Sequence, residues 1–114
     1  MKFMLLIQQG PALEEQAKLS AEDQQKVGEA YGAINATPGV TPGQWLQQPE
    51  AAKTIRLRGG KPFVTDGPFV ETKEALGGFL FFECDSEQEA LDLAARIPAV
   101  QYGGAVEVRP LVEF

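Results

Sequence analysis

The first apolar block, KFMLLIQ (residues 2–8), sets five apolar side chains in succession between Lys2 and Gln8. A strand apolar at consecutive positions is buried on both faces. A connection with a helical turn follows over residues 10–19. Ser20, with Asp23 three residues later, then forms a variant of the capping box. Val27, Ala30, Tyr31 and Ile34 recur at i, i+3, i+4 and i+7, which predicts one apolar face of a helix. Gly28 and Gly32 weaken that helix by ~1 kcal/mol each against alanine, a cost that close packing would explain. Pro38 and Pro42 forbid its continuation. Residues 37–52 read as a loop whose large apolar residues are Trp45 and Leu46. A long loop with a tryptophan either serves function or lays its ring over the core.

The clearest local pattern is TIRLRGGKPFVT (54–65). Gly59-Gly60 suits a two-residue hairpin turn that needs positive φ. Pairing outward sets Arg58 against Lys61, Leu57 against Pro62, Arg56 against Phe63 and Ile55 against Val64. One face is then Ile55, Leu57, Pro62 and Val64; the other is Arg56, Arg58, Lys61 and Phe63. A slip of one residue would mix the two faces. Residues 77–84, GGFLFFEC, predict a strand with Leu80, Phe82 and Cys84 on one side and Phe79, Phe81 and Glu83 on the other. Asp85 or Ser86 as N-cap, with Glu89 completing Ser-x-x-Glu, opens a second helix, with Ala90, Leu91, Ala94 and Ile97 as its apolar face and Pro98 as its stop. Val106, Val108, Pro110 and Val112 alternate with charged or exposed partners in a closing strand.

These elements run β-α-β-β-β-α-β. The expected fold class is α+β: a ferredoxin-like βαββαβ unit with an extra β-hairpin strand, in one domain spanning residues 1–114. Two helices cover only one face of such a sheet, yet residues 2–8 and 77–84 are apolar on both. A second copy of the chain is the expected cover. That predicts a homodimer packed sheet to sheet, with Phe79, Phe81 or their opposites at its centre. Glu83 would then need a partner such as Arg109, or would be protonated.

Composition narrows the function. A length of 114 residues with 44% apolar and 23% charged residues is ordinary for one globular domain. The net charge of −6 argues against nucleic acid and against an anionic membrane surface as partners. One cysteine, Cys84, excludes an intrachain disulfide and fits a reducing compartment. The N-terminal apolar stretch is too short for a signal peptide or a membrane span, so a cytoplasmic location is expected. Histidine is absent, which removes Ser-His and Cys-His nucleophile pairs and every histidine-based metal site. The glycine pairs lack the strand-turn-helix setting of a phosphate loop, so no cofactor is expected.

VTDGPFVETKEALGGF (64–79) resembles the DGPF group of the YCII-related domain family, and so do MKFMLLI, DSEQEALDLAARIPA and GAVEVRPLVEF. The resemblance implies a dimeric ferredoxin-like α+β fold. It implies little about activity, since most members are uncharacterised. A His-Asp pair proposed as catalytic in other branches cannot be carried over here; Asp66 alone matches as an acidic candidate. The resemblance also makes an extracytoplasmic-function sigma factor an expected partner in a regulatory role.

Asp66-Gly67-Pro68-Phe69 is either a turn or a device that aims Asp66 into a cleft. In the second case Asp66 is the general acid-base and Lys73 steadies the anion that forms. Glu71 and Glu74 would share a face of a helical turn. Asp66, Glu71 and Glu74 match no known cation loop, and no metal is expected. The basic hairpin face of Arg56, Arg58 and Lys61, with Phe63, Phe69, Trp45, Glu71 and Glu74, composes a candidate surface for a small acidic or aromatic ligand; the alternative is a solvated strand face. Two functions follow: a small-molecule-binding or regulatory module, or a cofactor-independent enzyme built on Asp66.

Overall fold

The computed structural model describes residues 1–68 and 76–114. Its strands are β1 (Lys2–Gln8), β2 (Val40–Trp45), β3 (Lys53–Arg58), β4 (Lys61–Asp66), β5 (Leu76–Glu83) and β6 (Ala105–Pro110). Its helices are α1 (Ala12–Ala17), α2 (Ala21–Asn35), α3 (Glu87–Ala95) and α4 (Pro98–Gln101), with a 3-10 turn at Pro49–Ala51. Four strands form an antiparallel sheet in the order β2-β5-β1-β6, and β3 pairs with β4 in a separate two-stranded sheet. This is the ferredoxin-like order, with the hairpin inserted between the second and third strands of the sheet.

One correction concerns that second strand. Residues 37–52 are not a loop throughout: Val40–Trp45 forms the edge strand β2. Both hairpin strands are therefore extra. Pro42 hid the strand, because proline lacks an N–H and is tolerated only at an edge. Here it lies opposite Leu80 on that edge, and the register then shifts before Trp45, which lies opposite Gly78.

The two-faced reading of β1 and β5 holds. Phe3, Leu5 and Ile7 are buried, opposite Phe82, Leu80 and Gly78. Ile34 of α2, Ala90, Leu93 and Ala94 of α3, and Ile97 join them in one core. Burying each large side chain contributes ~1.5–3 kcal/mol. On the α3 face, Leu93 is the core residue at 1% exposure and Leu91 is 44% exposed. The spacing admits either leucine beside Ala90 and Ala94; in the fold Leu93 faces the core and Leu91 faces outward. The other sheet face holds Met4, Leu6, Phe79 and Phe81, each half-buried. The Phe79 and Phe81 rings meet edge to face at 5.9 Å. On this face Arg109 Nε donates to Glu107 at 2.7 Å, while Glu83 lies exposed at the strand end opposite Lys2.

Both expected caps form. Asp23 N donates to Ser20 Oγ at 3.1 Å, and Glu89 N to Ser86 Oγ at 3.2 Å. Glu89 reaches back to the Asp85 N–H, one residue beyond the cap. Pro98 opens α4 after α3 has ended at Ala95. The expected close packing at Gly28 and Gly32 is absent: a Cβ at either would meet nothing within 4 Å. The double glycine at 77–78 has the opposite character. A Cβ on Gly77 would lie 2.3 Å from Gln9 Cγ, and one on Gly78 would lie 2.7 Å from Trp45 Cε3.

Candidate functional site: a basic, aromatic cleft on the hairpin

Gly59 and Gly60 take φ of +59° and +78°, the left-handed pair that a tight hairpin turn requires. They fix the register read from the sequence: Arg58 opposite Lys61, Leu57 opposite Pro62, Arg56 opposite Phe63 and Ile55 opposite Val64. The alternation of strands then sets Arg56, Arg58, Phe63 and Thr65 on one face. Together with Leu57 they line a cleft of about 280 Å³.

The Arg58 guanidinium lies 4.2 Å from the centroid of the Phe63 ring. Such a cation–ring contact holds a long side chain in one place while its N–H groups stay able to donate. A guanidinium edge matches a carboxylate with two parallel hydrogen bonds. The cleft therefore combines a directed cationic fork, an aromatic wall and a hydroxyl at Thr65.

Asp66 lies at the open end of the same hairpin. It is exposed and forms an ion pair with Lys53, the residue opposite it. Thr54 Oγ1 donates to the Gly67 carbonyl at 2.7 Å, and Gly67 N donates to the Ala52 carbonyl at 2.8 Å. Gly67 has φ of +94°. These bonds tie the chain ends of the hairpin together. The Asp66 carboxylate reaches across the strands to Lys53. Phe69, Glu71, Lys73 and Glu74 lie outside the described residues, so the joint arrangement expected for them with Asp66 does too.

Trp45 is not part of the cleft. It packs edge to face on Tyr31 at 5.0 Å, between β2 and α2, with its outer side exposed. Burial raises the Tyr31 phenol above its usual range, against smaller opposing effects from Gln9 and the Ala99 backbone. Cys84 is half-buried and packs against the core. Sequence reasoning missed Thr65 and Leu57 as cleft residues. The hairpin register does predict Thr65, which follows Phe63 on the same face. Among the described residues, no group of three or more His, Cys, Asp or Glu could hold a metal ion. No described helix is long and apolar enough to cross a membrane.

The topology and register define a ferredoxin-like α+β domain with an inserted hairpin. The chain belongs to the YCII-related domain family, whose model matches residues 1–114. A curated relative, the uncharacterized protein R00369 of Rhizobium meliloti (strain 1021), is 50% identical over 65 residues. That match covers 56% of this chain and 52% of the relative, about half the length of each. Among solved structures, the chain is similar to 5-chloro-2-hydroxyhydroquinone dehydrochlorinase (TftG) from Burkholderia phenoliruptrix AC1100, in complex with 2,5-dihydroxybenzoquinone. The TM-score is 0.54 at 16% identity, covering 100% of this chain and 96% of that one. At that identity the likeness is one of fold.

Proposed function

We propose that this YCII-related domain is a homodimeric small-molecule-binding module whose hairpin cleft takes a small anionic ring compound. The observation that carries the reading is the Arg58 guanidinium stacked on Phe63 in a cleft shared with Arg56 and Thr65. An aromatic carboxylate fits that chemistry: its charge meets the guanidinium and its ring meets apolar surface. The neighbour's ligand, 2,5-dihydroxybenzoquinone, is a small acidic ring of similar size. The half-buried Met4, Leu6, Phe79 and Phe81 support a dimer packed through the open sheet face. Asp66-Gly67-Pro68-Phe69 supports placement in the DGPF group.

A thermal-shift series with benzoate, salicylate and 2,5-dihydroxybenzoquinone tests the reading. A ligand at a hundred times its Kd stabilises the folded state by ~2.7 kcal/mol. Wild type should be stabilised and Arg58→Gln should not. A series in which no compound stabilises wild type overturns it and turns attention to a protein partner such as a sigma factor. The second reading, an enzyme using Asp66 with Lys73, takes support from the reaction named for the structural neighbour. It requires that Asp66→Asn lose turnover of such a ring compound while staying folded.

A further inference from the structure

The hairpin carries much of its apolar surface into solvent. Ile55, Leu57 and Val64 are 66%, 75% and 57% exposed. The register sets all three on one face with Pro62, opposite to Arg56, Arg58, Phe63 and Thr65, with Leu57 also reaching the edge of the cleft. A two-stranded hairpin on its own is marginal at best in water, and the body of the chain leaves this face uncovered.

The dimensions of the whole chain point the same way. Its radius of gyration is 16.1 Å, against ~13 Å for a compact domain of this length. Its accessible surface is 7886 Å², against ~6,100 Å² for a compact monomer of its mass. The excess, ~1,800 Å², lies within the roughly 1,000–2,500 Å² that each subunit of an obligate dimer buries. Charge selects the cover. Residues 53–66 hold four cations, Lys53, Arg56, Arg58 and Lys61, against one carboxylate, Asp66. The hairpin is thus +3, which leaves −9 on the rest of a chain whose total is −6. A cationic arm on an anionic body complements a second copy of itself, and opposite fields steer association.

We propose that the β3–β4 hairpin is an arm whose apolar face is covered by a second copy of this chain, so that the cleft on its other face becomes a formed binding site only in the dimer. This rests on the reading of the cleft given above and adds its regulation. An unpinned hairpin must be ordered at the moment of binding, at a cost in affinity. A hairpin pinned by the partner is ordered beforehand. Ligand binding and dimerisation are then coupled, each strengthening the other.

The test uses the full chain and the double variant Ile55→Glu/Val64→Lys. These two residues face each other across the strands and neither lines the cleft. Opposite charges there preserve the hairpin pairing and leave the net charge unchanged. Sedimentation velocity should show a wild-type dimer and a variant dimer weakened by about tenfold or more, the effect of losing one well-buried contact. Circular dichroism should show both folded. Benzoate should tighten the wild-type dimer, and the variant should bind it at least about tenfold more weakly. Trypsin should cut after Arg56 and Arg58 faster in dilute wild type than in concentrated wild type, and fast at all concentrations in the variant. Three results overturn the proposal: a wild type that stays monomeric, a variant as dimeric as wild type, or a monomeric variant that binds benzoate as tightly as wild type. If benzoate binds neither protein, the ligand reading and its coupling fall. The covered arm is then decided by dissociation and proteolysis alone. Arg58→Gln separates the two further, by abolishing benzoate binding while keeping the dimer.

Discussion

Gly43 sits where β2 takes up its extra residue against β5, and replacing it with alanine should open that edge of the sheet. A Cβ there would lie 1.8 Å from the Phe79 carbonyl oxygen, 2.6 Å from its carbonyl carbon and 2.7 Å from its ring. Two of those three atoms are backbone, so no rotamer change relieves the clash and β2 must move away. Beyond Gly43 lie the Trp45–Gly78 pairing and the bond from Leu46 N to the Gly77 carbonyl at 2.8 Å. Two or three backbone hydrogen bonds at ~1 kcal/mol net each are at risk. The Trp45–Tyr31 contact is at risk as well, at ~0.5–1.5 kcal/mol. The expected loss is about 3–4 kcal/mol, a large part of the ~5–15 kcal/mol that holds a domain folded. Gly28→Ala is the matched control. It sits in the interior of α2 with open space around it, so alanine should stabilise by ~0.5–1 kcal/mol. Urea denaturation at fixed protein concentration, followed by fluorescence of the single tryptophan on β2, measures both. Equal midpoints for Gly43→Ala and Gly28→Ala would refute the reasoning.

The remaining predictions test the core, a titration and the hairpin base. Leu93→Ala should destabilise by ~2–5 kcal/mol, and Leu91→Ala by well under half of that, since Leu91 lies largely in water; denaturant midpoints decide it. Tyr31 has a folded-state pKa raised by burial above 10.0. Above pH 10 the unfolded chain therefore ionises first, and stability should be full below that pH and fall as pH rises through the folded value. Tyr31→Phe should flatten this fall in a pH series of melts. Asp66→Asn should change stability by only ~0–1 kcal/mol, as expected for an exposed ion pair, with urea midpoints as the measure.

Local chemistry makes some elements legible in the sequence. The glycine pair at 59–60 fixes the hairpin register by backbone conformation, so the facing of Arg56, Arg58 and Phe63 follows from the sequence. Ser20 and Ser86 announce their helices because a hydroxyl there satisfies an otherwise orphaned N–H. β2 was not legible, since VTPGQW holds a proline and a glycine that local propensity reads as a break. It becomes a strand only because β5 offers an edge that needs no N–H from Pro42, and because Gly43 has no Cβ to meet the Phe79 carbonyl. The misplacement of Trp45 follows from that omission: without β2, nothing in the sequence seats the indole against Tyr31. Leu91 and Leu93 both stand beside Ala90 and Ala94 in the sequence, and only the packing of the core separates them.

The central position of β1 has a consequence for the time course of folding. This strand, among the first residues of the chain, pairs on one side with β5 and on the other with β6, where Phe3 lies opposite Pro110. Neither partner is local, so the closing of long loops must precede the sheet, and such topologies fold in milliseconds to seconds. The hairpin needs only its own turn, and hairpins form in ~1–10 μs. The cationic ribbon therefore exists in flickering form well before there is a domain to carry it. During that interval the apolar edges of β1 and β5 wait for partners beside an exposed strip of Ile55, Leu57 and Val64. Low temperature and dilute protein during refolding should favour the intramolecular partner over the neighbouring chain.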